Sequence, residues 1–118
     1  MHVNGRMNSM LPKEISDQII EALKPVDPYR VILFGSYAWG VPEKESDIDL
    51  YIVTRDEFLP KNWSEKMDIK LKVAGALKNL KKEYDIDLIV HTREMSNLFF
   101  KTKGHFPEAV REKGIVLL

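Results

Sequence analysis

The sequence contains no cysteine, carries no net charge and has no long hydrophobic run. Without cysteine the chain can form neither a disulfide framework nor a thiolate zinc site, and this composition fits the reducing cytoplasm, which is the predicted location. Basic and acidic residues each total 18, so no net positive field favours nucleic acid and we do not predict direct nucleic-acid binding. The longest apolar stretches, such as residues 31–34, are far too short to span a bilayer, so no membrane contact is predicted.

The length of the chain limits its domain organisation. At 118 residues it fits one domain with a hydrophobic core, but it leaves no room for a separate substrate domain. Residues 1–10 are polar and lack the apolar centre of a signal peptide. We therefore predict a flexible leader over residues 1–10 and a single domain over residues 11–118.

The spacing of apolar residues predicts alternating helices and strands. Proline and glycine divide these segments, and apolar residues recur at helical or strand spacing between them. The first strand is predicted to be covered on both faces, the second to be half buried, and Gly114 to be a left-handed helix cap. The predicted helices cover residues 12–24, a segment that starts near Asn62 or Ser64 and reaches Leu80, residues 94–103 and residues 107–113; the predicted strands cover residues 29–34, 48–53 and 84–90.

Gly35-Ser36, followed by Asp47 and Asp49, is the most informative pattern in the sequence. In a strand, residues i and i+2 share a face, so the two aspartates point the same way. Two carboxylates so close together repel each other unless a proton or a cation lies between them, and we predict a divalent cation.

A second pair of acids, Asp85 and Asp87, shares one face of the third predicted strand and could join the first pair. Three carboxylates from two strands suit a two-metal transfer of a phosphoryl or nucleotidyl group, because magnesium prefers a few carboxylates together with phosphate oxygens and water. Gly35 lets the backbone approach a phosphate closely, and Ser36 offers a hydroxyl and an amide at the start of a short helix.

The residues around these acids resemble a known signature. Positions 33–40 read Leu-Phe-Gly-Ser-Tyr-Ala-Trp-Gly and positions 46–50 read Ser-Asp-Ile-Asp-Leu, which resembles the DNA polymerase β-like nucleotidyltransferase superfamily and, within it, the minimal nucleotidyltransferase (MNT) type. The resemblance implies an α+β (α/β) fold with a small mixed sheet flanked by helices. It also implies transfer of a nucleoside monophosphate, AMP from ATP, with release of pyrophosphate.

The resemblance assigns roles to individual residues. It implies two Mg²⁺ ions held by Asp47 and Asp49, and it places the third acid best at Asp87, with Asp85 as the rival. Gly35 and Ser36 are the implied nucleotide-binding residues.

Members of this length resemble the antitoxin half of a toxin–antitoxin pair. The resemblance implies an all-helical HEPN toxin as partner and transfer of AMP to a tyrosine of that toxin. Many members carry arginine where this chain has Trp39, which keeps open a non-catalytic antitoxin that binds its toxin and retains a vestigial nucleotide pocket. A free-standing nucleotidyltransferase of a small molecule, such as an aminoglycoside, is a further alternative, and a homo-oligomer is left open.

Three other features have ordinary structural interpretations. His91 and His105 have no partner at metal-ligand spacing and are predicted to be surface or packing residues. The segment 98–100 is predicted to be core or sheet edge. The lysines of the second predicted helix are expected to form its solvated face; they are Lys66, Lys70, Lys78 and Lys81.

Overall fold

The structure is a computed structural model that describes residues 11–43 and 46–118. The predicted leader, residues 1–10, lies outside the described residues. The described chain alternates helices and strands, and residues 24–26 and 80–82 form short 3-10 turns. In chain order the elements are α1 (Lys13–Leu23), β1 (Arg30–Phe34), α2 (Ser36–Trp39), β2 (Ile48–Val53), α3 (Trp63–Ala76), β3 (Ile86–His91), α4 (Arg93–Lys101), α5 (His105–Lys113) and β4 (Ile115–Val116).

The strands form one mixed sheet in the order β3-β2-β1-β4. β1 pairs antiparallel with β2 and with β4, whereas β2 and β3 are parallel. A parallel pair needs a crossover connection, and here the crossover contains α3. The prediction of a small mixed sheet flanked by helices is confirmed.

The helices α1 and α3 begin where the sequence predicts. Pro12 precedes α1, and Ile19 and Leu23 on its inner face are fully buried. Asn62 caps α3: its side-chain oxygen accepts a hydrogen bond from the backbone N–H of Glu65 at 2.9 Å. The start of α3 is thereby fixed at Asn62 rather than at Ser64.

Both faces of the sheet are covered. One face packs against α1 and α3, with Leu33, Leu50 and Ile52 among its fully buried residues. The other face packs beneath α4 and α5, where Tyr51 is fully buried against Phe99. The prediction that β2 is half buried is therefore wrong, whereas both faces of β1 are covered as predicted.

The segment 98–100 divides between core and surface. Phe99 and Phe100 pack on the second face of the sheet, and Leu98 stays 48% exposed. The helices predicted over residues 94–103 and 107–113 are confirmed as α4 and α5, with shifted ends at Arg93–Lys101 and His105–Lys113.

The predicted start of the third strand is wrong by two residues. The turn before β3 includes Tyr84, because the backbone N–H of Tyr84 donates to the carbonyl of Leu80 at 2.9 Å. β3 therefore begins at Ile86, although the carbonyl of Asp85 already accepts from the N–H of Ile48 at 2.8 Å.

Gly114 does not form the predicted left-handed cap. Its φ of −67° and ψ of 151° are extended, because the chain passes directly from α5 into β4. Glycine is required for space instead: a β-carbon there would collide with the carbonyl oxygen of Val110 and would lie 2.6 Å from Cγ2 of Ile32.

Across residues 11–43 and 46–118, none of the helices has the length and apolar character needed to cross a membrane.

Candidate active site

The register of the sheet aligns the predicted site residues across three strands. Phe34, the last residue of β1, pairs with Asp49 of β2, and Asp49 pairs with Asp87 of β3. Gly35 follows Phe34 directly. The end of β1 and the beginnings of β2 and β3 therefore meet at one end of the sheet.

Three carboxylates converge at this end of the sheet. One carboxylate oxygen from each of Asp47, Asp49 and Asp87 lies within 4.8 Å of the other two. Asp47 and Asp87 are exposed and Asp49 is partly buried. Asp47 follows a turn in which the hydroxyl of Ser46 accepts a hydrogen bond from the backbone N–H of Glu43 at 2.7 Å. We call these three residues the acid cluster.

Asp85 lies beside the acid cluster without belonging to it. It lines a cavity of about 260 Å³ together with Asp47, Lys81 and Tyr84. Of the two rivals for the third acid, Asp87 is thus the one whose oxygen the structure brings to Asp47 and Asp49.

The electrostatics of the acid cluster favour a bound positive charge. Burial, together with the smaller effects of the neighbouring charges of Asp87 and Asp47, raises the pKa of Asp49 to about 6. Among the described residues, none of the ion pairs involves a member of the cluster. Within residues 11–43 and 46–118, the oxygens of the three acids therefore form no ion pair with a basic side chain.

Gly35 has a backbone conformation and close surroundings that require glycine. Its φ is 77° and its ψ is −156°, a region that is essentially restricted to glycine. A β-carbon at this position would collide with a carboxylate oxygen of Asp49. The glycine therefore allows the turn into α2 to lie directly against the acid cluster.

Ser36 begins α2, which is a single turn of helix. The N–H groups of Ala38 and Trp39 donate to the carbonyl of Gly35 at 2.9 and 3.0 Å. This turn places the backbone and hydroxyl of Ser36 beside Gly35. Trp39, at the end of the turn, packs its ring 6.4 Å from that of Phe34 and remains 37% exposed.

The position of one residue near the site is not predicted from the sequence. Lys81 was assigned to the solvated face of a helix, but it lines the same cavity as Asp47 and Tyr84. The available signal is position: the turn that carries Lys81 immediately precedes β3, whose first residues reach the acid cluster.

His91 lies at the other end of β3 and has a packing role. Its Nδ1 is 2.8 Å from the hydroxyl of Tyr51, and its ring meets Phe99 edge to face with centroids 5.3 Å apart. Burial, together with the smaller effect of the charge of Lys66, lowers the pKa of His91 to about 4. His105 is exposed at the start of α5. Neither histidine belongs to the acid cluster, in agreement with the prediction.

A mixed sheet that brings three carboxylates to a glycine-led turn defines the class of nucleotidyltransferases. The family described as Polymerase beta, Nucleotidyltransferase matches residues 17–103, and this chain belongs to it. The resemblance carried by residues 33–50 is thereby confirmed.

This chain is similar to solved structures, the first of which shows the same fold. One, described as a toxin-antitoxin with AMP-PNP, has a TM-score of 0.52 and 24% identity over 87% of this chain and 72% of that chain. Another, a mutant of the toxin-antitoxin MntA-HpeT, has a TM-score of 0.49 at the same identity and coverage. No curated protein matches this chain.

Proposed function

We propose that this protein is a magnesium-dependent nucleotidyltransferase that transfers AMP from ATP to a hydroxyl group, namely a tyrosine of a HEPN toxin, and so acts as an antitoxin. The observation that carries the proposal is the convergence of Asp47, Asp49 and Asp87 beside Gly35. A toxin–antitoxin protein among the structural neighbours supports the biological setting.

The acid cluster fits magnesium in the chemistry of its donors. All the donors are carboxylate oxygens, they lie within 4.8 Å of one another, and burial together with the charges of Asp87 and Asp47 raises the pKa of Asp49. Asp47, Asp49 and Asp87 would hold the ions, which when bound would neutralise phosphate charge and lower the pKa of the attacking hydroxyl. The exposure of Asp47 and Asp87 leaves room for phosphate oxygens and water.

The remaining site residues would bind and orient the nucleotide. Gly35 lets the triphosphate approach the backbone without steric conflict, and Ser36 can donate hydrogen bonds to phosphate oxygens from its hydroxyl and its N–H. Lys81, on the cavity wall beside Asp47, is placed to attract phosphate charge. Gly35 and Ser36 are therefore the proposed nucleotide-binding residues, and Asp47, Asp49 and Asp87 the proposed catalytic acids.

ATP and a protein acceptor suit this chain better than the alternatives. AMP-PNP, present in the structural neighbour, is an analogue of ATP. The single sheet with its short helices includes no additional domain within residues 11–43 and 46–118 that could close over a small acceptor. A partner protein that presents a tyrosine would supply the missing side of the site.

The test is co-expression with an all-helical toxin, followed by incubation of the purified pair with ATP labelled at the α-phosphate and with magnesium. We expect label on the toxin, a mass increase of one or more AMP units on a tyrosine, and release of pyrophosphate. Asp49→Asn should lower the rate by about 100-fold or more, because it removes a charged metal ligand.

Asp85→Asn is the matched control, since it removes a carboxylate that lines a cavity with Asp47 but lies outside the acid cluster, and its rate should stay within a few-fold of the natural protein. Equal rates for the natural protein and Asp49→Asn would reject the proposal. Turnover of an aminoglycoside without any toxin would favour the small-molecule alternative.

The packing of Trp39 on Phe34 favours one second candidate, an antitoxin that acts by binding alone. An apolar ring at this position supplies no positive charge for phosphates. In this case the Asp47→Asn, Asp49→Asn double variant should still protect cells from the toxin. Loss of protection by a double variant that still forms the complex would reject binding alone.

A further inference from the structure

The outer edge of β3 has hydrogen-bonding groups that no strand in residues 11–43 and 46–118 uses. β3 is the last strand on its side of the sheet. The carbonyls of Asp85 and His91 accept from the N–H groups of Ile48 and Thr54 on the β2 side, at 2.8 and 2.9 Å. Because backbone groups alternate in direction along a strand, residues 86, 88 and 90 direct their N–H and C=O groups outward.

A groove runs along this free edge. It has a volume of about 310 Å³ and lies between β3 and the first half of α3. Trp63 on its wall is 72% exposed, which is unusual for so large an apolar side chain. We call it the edge groove; its lining is Trp63, Lys66, Met67 and Lys70 from α3 and residues 88–91 from β3.

The edge groove is positively charged. Lys66 and Lys70 line it, no aspartate or glutamate does, and neither lysine belongs to an ion pair among the described residues. The charge of Lys66 contributes to the lowered pKa of His91 on the opposite wall. Carboxylates of a bound partner would form ion pairs with both lysines.

We propose that the edge groove binds an extended, acidic segment of a partner protein, which adds to the sheet as a strand beside β3. The backbone of that segment pairs with residues 88 and 90. Its side chains alternate between the two faces, so that every second one lies over α3, where carboxylates meet Lys66 and Lys70 and an apolar group meets Trp63 and Met67. The surface lies toward the end of β3 away from Asp87, and the proposal does not depend on nucleotidyl transfer.

Two other occupants fit the edge groove less well. A second copy of the chain, paired antiparallel through β3, would place α3 of both copies on the same face of the joined sheet and bring Lys66 and Lys70 of each toward those of the other. Residues 1–10 contain arginine and histidine but no aspartate or glutamate. Charge complementarity therefore selects an acidic partner.

The test uses a synthetic peptide of alternating valine and glutamate, about eight residues long so that it spans β3. A peptide of alternating valine and lysine of the same length is the control. We expect the acidic peptide to change the fluorescence of Trp63, measured in a Trp39→Phe background that leaves Trp63 as the only tryptophan. Amide hydrogen exchange of Leu88 and Val90 should slow when the peptide binds.

Charge reversal tests whether the peptide binds at the edge groove or is attracted to lysines in general. Lys66→Glu combined with Lys70→Glu should weaken binding by about tenfold or more, whereas Lys78→Glu, an exposed lysine outside the groove, should change it less than twofold. The Asp49→Asn variant should bind the peptide as tightly as the natural protein does, even if the substitution abolishes nucleotidyl transfer. Circular dichroism confirms that each variant is folded.

Several results would overturn the proposal. They are the absence of acidic-peptide binding, equal binding of the basic peptide, and binding that leaves the exchange of Leu88 and Val90 unchanged. Lysine-dependent binding of single-stranded RNA without protection of these amides would assign the lysines to nucleic acid instead. Concentration-dependent dimerisation that protects the same amides would assign the edge to a second copy.

Discussion

The two ends of β2 and β3 place titratable groups in opposite situations. Where the strands begin, Asp49 lies among like charges, and burial raises its pKa to about 6. Toward their other end His91 lies against Tyr51 and Phe99, and burial lowers its pKa to about 4. Desolvation disfavours the charged form in both cases, but carboxylates of one sign lie around Asp49, whereas aromatic rings pack on His91 and the charge of Lys66 acts on it. We call the region of the acid cluster the acid end and the region of Tyr51, His91 and Phe99 the aromatic end. The comparison indicates that the acid end is organised for ligands and that the packed rings of the aromatic end contribute to stability.

The largest expected effect is at the aromatic end. Tyr51→Ala should lower the free energy of unfolding by about 3–5 kcal/mol, because Tyr51 is fully buried and its ring stacks on Phe99 with centroids 5.1 Å apart. Tyr51→Phe is the control: it keeps the ring and loses only the hydroxyl, with its hydrogen bonds to His91 and Ser96, so about 1–2 kcal/mol is expected. Urea denaturation measures both. Similar losses for the two variants would contradict the importance of ring packing.

The next effect is at the acid end. Gly35→Ala should lower the free energy of unfolding by about 1–3 kcal/mol, because alanine is strained at a φ of 77° and its β-carbon would displace the carboxylate of Asp49. Any nucleotidyl transfer should fall with it. Gly75→Ala in α3 is the matched control, since a β-carbon there has open space, and a gain of about 0.5–1 kcal/mol is expected. Denaturation and the labelled-ATP assay distinguish the two sites.

The smallest expected effect is on the pH dependence of stability, to which the two ends contribute with opposite signs. The lowered pKa of His91 contributes stability that is present above pH 6.5 and is lost as the pH falls toward 4. The raised pKa of Asp49 has the opposite sign: the folded state binds the extra proton, so its contribution decreases as the pH rises from 3.8 through 6. Because both groups are partly open to solvent, each effect should be about 1 kcal/mol.

Two variants separate these contributions in metal-free buffer. Between pH 4 and 6, the free energy of unfolding of the His91→Phe variant should fall more steeply with rising pH than that of the natural protein. That of the Asp49→Asn variant should rise more steeply over the same range. Urea midpoints measured across this range provide the check. Identical pH profiles for both variants and the natural protein would show that neither group is shifted.

Strand periodicity and the spacing of acids predicted most of the acid end. The alternation of Ile48, Leu50 and Ile52 fixes which way Asp49 points, and the antiparallel return of the chain brings Gly35 beside it. The choice of Asp87 over Asp85 could not be made from alternation, since both share a face. It depends on where the turn ending at Tyr84 passes into β3, and the hydrogen bond from the N–H of Tyr84 to the carbonyl of Leu80 marks that point.

The aromatic end was harder to predict. Nothing in the alternation of β2 shows that Tyr51 is covered, because the cover comes from α4 and α5, more than forty residues away in sequence. Short helices can pack on either side of a sheet, and their apolar residues do not identify which. Gly114 was misjudged for a related reason, since its requirement is space beside Ile32 rather than a positive φ.

The parallel register of β2 and β3 has a consequence for how such a chain can diverge. Asp49 faces Asp87, Leu50 faces Leu88 and Ile52 faces Val90, so a slip of one position would turn Asp87 to the opposite face and expose its apolar neighbours together. Insertions or deletions are therefore tolerable in the loop before Asn62 but not within either strand. The length of this connection can drift among descendants while the geometry of the carboxylates is inherited unchanged.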